Sequence, residues 1–219
     1  MIRETYSSFF KDLQKNNTKE WFHTNKKHYE QEVRQPFVAL LETIIPVLRE
    51  WENAILPDPK KALFRINRDL RFSKDKTPYN LMMKAGLSPG GKKSVDPGYY
   101  LGIDAEHIHV GGGLFMIRPP ELKKIRQHIT ANTDELIQIT KAPKFIENFG
   151  VLKGEKAKRL DKDFQEVLQR TELIQHKQFY AFVEFPLAPF YNSSTLTEEI
   201  LMHFEAIRPL NDYLSKALQ

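Results

Sequence analysis

The residues best placed to do chemistry lie in one run, Arg65-Ile66-Asn67-Arg68-Asp69-Leu70-Arg71-Phe72-Ser73-Lys74-Asp75-Lys76-Thr77-Pro78-Tyr79. Five cations and two carboxylates stand among a few apolar anchors, a net charge of +3. If Phe64 to Phe72 is extended, successive side chains point to opposite faces. Phe64, Ile66, Arg68, Leu70 and Phe72 then share one face, and Arg65, Asn67, Asp69, Arg71 and Ser73 share the other. The second face is wholly polar and sets two guanidiniums around a carboxylate. Guanidinium forks match phosphate and carboxylate oxygens in pairs. Lys74 and Lys76 add charge from the turn that Thr77-Pro78 announces. The candidate ligand-binding residues are Arg65, Arg68, Asp69, Arg71, Ser73, Lys74, Lys76 and Tyr79, and the ligand class is a small phosphorylated or carboxylated anion. In this reading Asp69 orients an arginine or acts as a base. Arg68 is the odd residue, a cation on the apolar face that needs a carboxylate or a bulge.

Two other readings stand beside this one. The run is a structural ion-pair network in which Asp69 and Asp75 neutralise their neighbours, or it is part of a nucleic-acid surface. The latter requires a basic stripe joining Lys74, Lys76, Lys92, Lys93 and the segment from Lys153 to Arg159, with Tyr79, Tyr99 and Tyr100 available to stack on bases. The whole chain carries +5 at pH 7, which favours anionic partners in general and singles out none.

Elsewhere the chemistry is thinner. The absence of cysteine excludes disulfides, thiolate metal sites and a cysteine nucleophile. No GxSxG occurs, and Ser73 beside Lys74 is a bare juxtaposition. Gly111-Gly112-Gly113 lacks both nucleotide-loop patterns and reads as a β-bulge or tight bend. His107 and His109 share a face if extended, but no third metal ligand stands nearby in sequence, so no metal site is assigned. Whether the protein is an enzyme is left open, and no catalytic residue or cofactor is assigned.

The elements that must position the run read as follows. Tyr6, Phe9, Phe10 and Leu13 form one helical stripe, with Thr5 or Ser7 as its cap. Asn16-Asn17-Thr18 breaks it and starts another helical stretch from Trp21 to Trp51, interrupted by Pro36 and Pro46. Leu63 to Arg68 and Leu81 to Leu87 read as strands. Tyr99 to Ile103 and Ile108 to Val110 form a hairpin around Asp104-Ala105-Glu106-His107. Helices follow from Pro119 to Phe149, with Gly150 as a C-cap. Val151 to Asp163 is basic and extended, and Phe164 to Ile174 is more helix than strand. Phe179 to Phe185 is a strand. A last helix capped by Thr195 or Thr197 carries Ile200 to Leu210. Grouped strands with hairpin connections predict α+β, a mostly antiparallel sheet packed with N-terminal, central and C-terminal helices. Met1 to Tyr6 has no apolar signal region, and no stretch is apolar enough to span a membrane, so a cytoplasmic location is expected.

The run Arg68 to Tyr79 resembles the uncharacterised conserved bacterial and fungal domain-of-unknown-function family 2461. Asn16-Asn17 followed by Trp21-Phe22, Lys27, Tyr29 and Pro36-Phe37 is similar to its N-terminal part. Gly98-Tyr99-Tyr100, Gly111-Gly112-Gly113 and Arg126 are similar to its middle, and Leu152-Lys153-Gly154 with Lys177 and Phe179-Tyr180 to its C-terminal part. The chain departs at Asp161-Lys162-Asp163-Phe164, where the family often has a proline and a glycine. The resemblance implies a single domain over residues 1–219 and brings no activity or cofactor with it.

Overall fold

The computed structural model describes residues 1–219, the Lys93 side chain excepted. That part of the predicted Lys92-Lys93 basic tip therefore lies outside the described residues. The architecture is α+β, with one four-stranded antiparallel sheet in the order β1-β2-β3-β4. The strands are β1 (Met83–Leu87), β2 (Gly98–Ile103), β3 (His107–Leu114) and β4 (Phe179–Pro186). Contacts divide the chain into two compact units, residues 1–93, 100–110 and 184–201, and residues 94–99, 111–183 and 202–219.

The first unit is built on its N-terminal helices. Helix α1 (Glu4–Lys15) buries Tyr6, Phe9, Phe10 and Leu13, the predicted stripe. Its N-cap lies two residues before Thr5 and four before Ser7. Arg3 is its N-cap, with no side-chain bond, and Glu4 meets the positive end of the helix. Thr5 instead donates to Glu32 at 2.6 Å. Helix α2 (Lys19–Thr24) is capped by Thr18, whose hydroxyl accepts the Trp21 N–H. Helix α3 (Lys26–His28) runs into a π-helical turn over Tyr29–Arg34 and then α4 (Gln35–Trp51). Pro36 stands where the π-helical turn passes into α4, and Pro46 lies inside the helix without ending it. After α5 (Pro59–Ala62), the predicted strand over Leu63 to Arg68 is replaced by two isolated bridges, Leu63 to Ala85 and Asn67 to Tyr79. The reason is chemical. Arg68 N–H donates to the Pro78 carbonyl at 2.9 Å, and proline has no N–H to continue a ladder.

The predicted hairpin forms as β2 and β3. The Asp104 carboxylate accepts the N–H groups of Glu106 and His107, both at 2.7 Å, and so shapes the turn between them.

The second unit contains α6 (Pro119–Ala131), α7 (Thr133–Lys141), α8 (Pro143–Phe149), α9 (Gln165–Arg170) and the later turns of α10 (Leu196–Leu218). Ile125, Ile129, Leu136, Phe145, Phe204 and Leu210 are its buried residues. Gly150 closes α8 at φ +72°. The triglycine lies inside β3, which continues to Leu114, with Gly113 at φ +108°. A Cβ on Gly111 would stand 2.3 Å from the Ala181 carbonyl oxygen, and one on Gly113 2.2 Å from that of Phe179. Bare backbone is what lets β4 approach. The basic segment after Gly150 is extended where it bridges Lys153 to Tyr180 and Lys156 to His176.

Candidate anion-binding loop

Three contacts hold the two ends of the run together. Arg68 N–H reaches the Pro78 carbonyl, Asn80 N–H reaches the Ile66 carbonyl at 2.7 Å, and the Asn80 amide adds a second bond to Ile66 at 2.9 Å. Tyr79 is anchored further. Its ring stacks on Phe22 at 4.0 Å and 18°, and Asn17 bonds its backbone. Burial pushes the Tyr79 phenol up, with Glu20 adding to the effect.

Within this frame the predicted alternation is followed as far as Leu70. Arg65, Asn67, Asp69 and Arg71 are exposed, Ile66 is buried, and Phe64, Arg68 and Leu70 are half-buried. It fails at a bend over Arg71 and Phe72. Phe72 was predicted on the apolar face and is instead 96% exposed. Ser73, predicted on the polar face, is half-buried.

Arg68 finds its partners five to nine residues on. Its guanidinium contacts the Asp75 carboxylate and the Thr77 hydroxyl, reaches the Thr77 carbonyl at 3.3 Å, and donates to Ser73 Oγ at 3.2 Å. Ser73 Oγ donates in turn to the Asp75 carbonyl at 2.8 Å. The backbone N–H of Thr77, then Arg68, then the Thr77 hydroxyl hold the Asp75 carboxyl down at about 2. Asp69 belongs to a separate pair. Arg71 clasps it through Nε at 3.0 Å and through its terminal nitrogen at 2.6 Å, and the Arg71 N–H adds a third bond at 3.2 Å. The Asp69 carboxyl is likewise held down at about 2, first by the Arg71 side chain and then by its N–H. Lys76 Nζ donates to the Leu70 carbonyl at 3.1 Å. Among the described residues, the side chains of Arg65 and Lys74 form neither a hydrogen bond nor an ion pair.

The eight predicted residues thus divide. Arg68, Ser73 and Tyr79 are framework. Asp69 and Arg71 are a self-contained pair, and Arg65, Lys74 and Lys76 are exposed cations. Neither lysine contacts Ser73, so no lysine-assisted hydroxyl is assembled. Two nearby residues escaped the sequence reading. Asn80 is one. The other is Lys84, whose ammonium is pushed down by burial and by the field of Arg68. Its place one residue into β1, within the predicted second strand, was the available signal. A cleft of about 470 Å³ lies elsewhere in the same unit, lined by Thr5, Asn25, Lys27, His28 and Glu32 among others.

His107 and His109 do share a face, and Asp104 and Glu184 come to them. His109 Nε2 bonds Asp104 at 2.9 Å, and its Nδ1 lies 3.1 Å from Glu184. Burial opposes the charge on Asp104, but the Glu106 N–H, His109 and the His107 N–H outweigh it and keep the carboxyl below its ordinary value. Among the described residues, no group of three or more such side chains is arranged to hold a metal ion. Tyr99 is buried and Tyr100 half-buried, so with Tyr79 stacked on Phe22 the three predicted base-stacking tyrosines do not present free rings. No described helix is long and apolar enough to cross a membrane.

A family model described as a conserved hypothetical protein, DUF2461, matches residues 5–213 and so runs through both compact units. No curated protein matches the chain.

Proposed function

We propose that this chain, which belongs to the DUF2461 family of conserved hypothetical proteins, binds an anionic ligand of phosphate or carboxylate chemistry on the loop from Arg65 to Tyr79. The observation that carries the reading is the distribution of charge. Both carboxylates of the loop are committed, Asp75 to Arg68 and Asp69 to Arg71, which leaves Arg65, Lys74 and Lys76 without a carboxylate partner on an open surface. Arg68, Ser73, Asp75 and Thr77 set the shape of the loop. Arg65, Lys74 and Lys76 supply the charge. A carboxyl held at about 2 is a poor base at neutral pH, so Asp69 orients Arg71 and takes no proton. The Arg68 network also favours a structural role for part of the run, and the two roles are compatible because they fall on different residues.

Inorganic phosphate and pyrophosphate titrated into isotope-labelled protein provide the test. Saturable shifts confined to the loop are expected. Arg65→Glu combined with Lys74→Glu should weaken them about tenfold or more, with no change in melting temperature. Absence of saturable shifts with either anion overturns the proposal.

A further inference from the structure

Three aromatic rings are in contact where the end of β3 meets β4, Phe115 and Phe182 exposed and Tyr180 half-buried. Phe115, just past β3, is 60% exposed and meets Tyr180 edge-on at 5.2 Å between centroids. The Tyr180 ring lies within 10° of parallel to that of Phe182, at 6.3 Å. Strand alternation buries Phe179 and Ala181 and turns residues 180 and 182 to the other face. Single exposed apolar side chains are normal, whereas contiguous ones mark interaction surfaces.

The neighbouring strand lays no side chain over these rings. A Cβ at Gly111 would fall 2.6 Å from Phe182 Cβ, and one at Gly113 2.7 Å from Tyr180 Cα, so no side chain can stand there. The border is cationic. Lys153 is bridged to Tyr180, and its ammonium sits 3.6 Å over the Phe182 ring. Further along the same segment, Glu155 is paired with Lys177 and Lys156 with Glu172. Lys158 and Arg159 are exposed, with no ion pair among the described residues.

We infer that this face binds single-stranded nucleic acid, with bases stacking on Phe115 and Phe182 and phosphates meeting Lys158 and Arg159. Aromatic faces accept any base, and bordering cations meet the phosphate backbone without base preference. Unpaired bases are required, because a duplex hides its base faces. Charge complementarity decides for a polyanion over a second copy of this net-basic chain. The inference is independent of the loop reading above.

The test is fluorescence anisotropy of labelled short oligothymidylate and oligouridylate on the full chain, with a duplex of the same length and a mononucleotide as competitors. Saturable binding that weakens with salt is expected. Phe182→Leu, which keeps bulk and removes the π face, should weaken it by about five- to a hundredfold. Lys158→Glu with Arg159→Glu should weaken it and flatten the salt dependence. Melting temperatures should stay level, all three side chains being exposed. The inference is overturned by no binding, by a duplex or mononucleotide competing as well as the single strand, or by a Phe182→Leu variant that binds normally. It is equally overturned if the face mediates self-association that Phe182→Leu abolishes.

Discussion

Asn17 holds the backbone of Tyr79 by both its groups. Its side-chain oxygen accepts the Tyr79 N–H at 3.1 Å, and its amide nitrogen donates to the Tyr79 carbonyl at 3.0 Å. Across 62 positions of sequence the side chain does what a neighbouring strand would do. Asn17→Asp keeps the shape and replaces the donor with an oxygen facing a carbonyl. The cost expected is about 1–3 kcal/mol, the usual penalty for an unsatisfied, partly buried group. Denaturant midpoints measure it, and an unchanged midpoint would show that the contact holds nothing in place.

The carboxyls of Asp69 and Asp75 both lie at about 2, below their ordinary 3.8, and they answer to different arginines. Their folded values are depressed, so the stabilisation they bring is complete above the ordinary value and is lost as pH falls through about 2. The loop should therefore loosen between about pH 4 and pH 2. Carboxyl-carbon shifts read the two groups separately. Arg68→Gln should raise the Asp75 midpoint and leave that of Asp69, and Arg71→Gln should do the reverse. Coupled movement of both midpoints would contradict the separation into two networks.

Gly111 faces backbone that cannot yield. A methyl there would meet the Ala181 oxygen, Phe182 Cβ and Phe182 Cα at 2.3, 2.6 and 2.9 Å. Gly111→Ala should cost at least about 1–3 kcal/mol, since it must part β3 from β4. Gly150→Ala is the control. Nothing lies within 4 Å of its Cβ position, and the penalty is only the backbone strain of φ +72° and ψ −73°, about 1–3 kcal/mol. A Gly111→Ala protein that melts where the parent does would show that the strands can move apart freely.

The helices were legible because their stripes are dense. Tyr6, Phe9, Phe10 and Leu13 needed only periodicity to be placed. The β2–β3 hairpin was legible because Asp104 writes its turn chemistry locally. The loop was half legible. Alternation assigned faces correctly to Leu70, but the pairing of Arg68 with Asp75 depends on a bend at Arg71 and Phe72 that no period announces. That bend also turned Phe72 outward. Asn17 stands in the Asn16-Asn17-Thr18 break, at a helix start of the kind that favours asparagine. Its real partner is remote, and Thr18 took the cap. On β4 the strand itself was evident, but the bareness of its outer rings follows from glycines on another strand.

The wide turn over Tyr29–Arg34 has its own bearing on the loop. A π-helical turn holds its extra length by unwinding, with bonds to the fifth residue instead of the fourth. Because the unwinding absorbs the extra residue, removing one residue here would restore ordinary winding and leave the facing of everything upstream nearly unchanged. Phe22 lies upstream and Tyr79 rests against it. The facing of the ring beneath the cationic loop thus tolerates the loss of a residue in the wide turn, whereas a deletion in the ordinary turns of α4 would rotate it by about 100°.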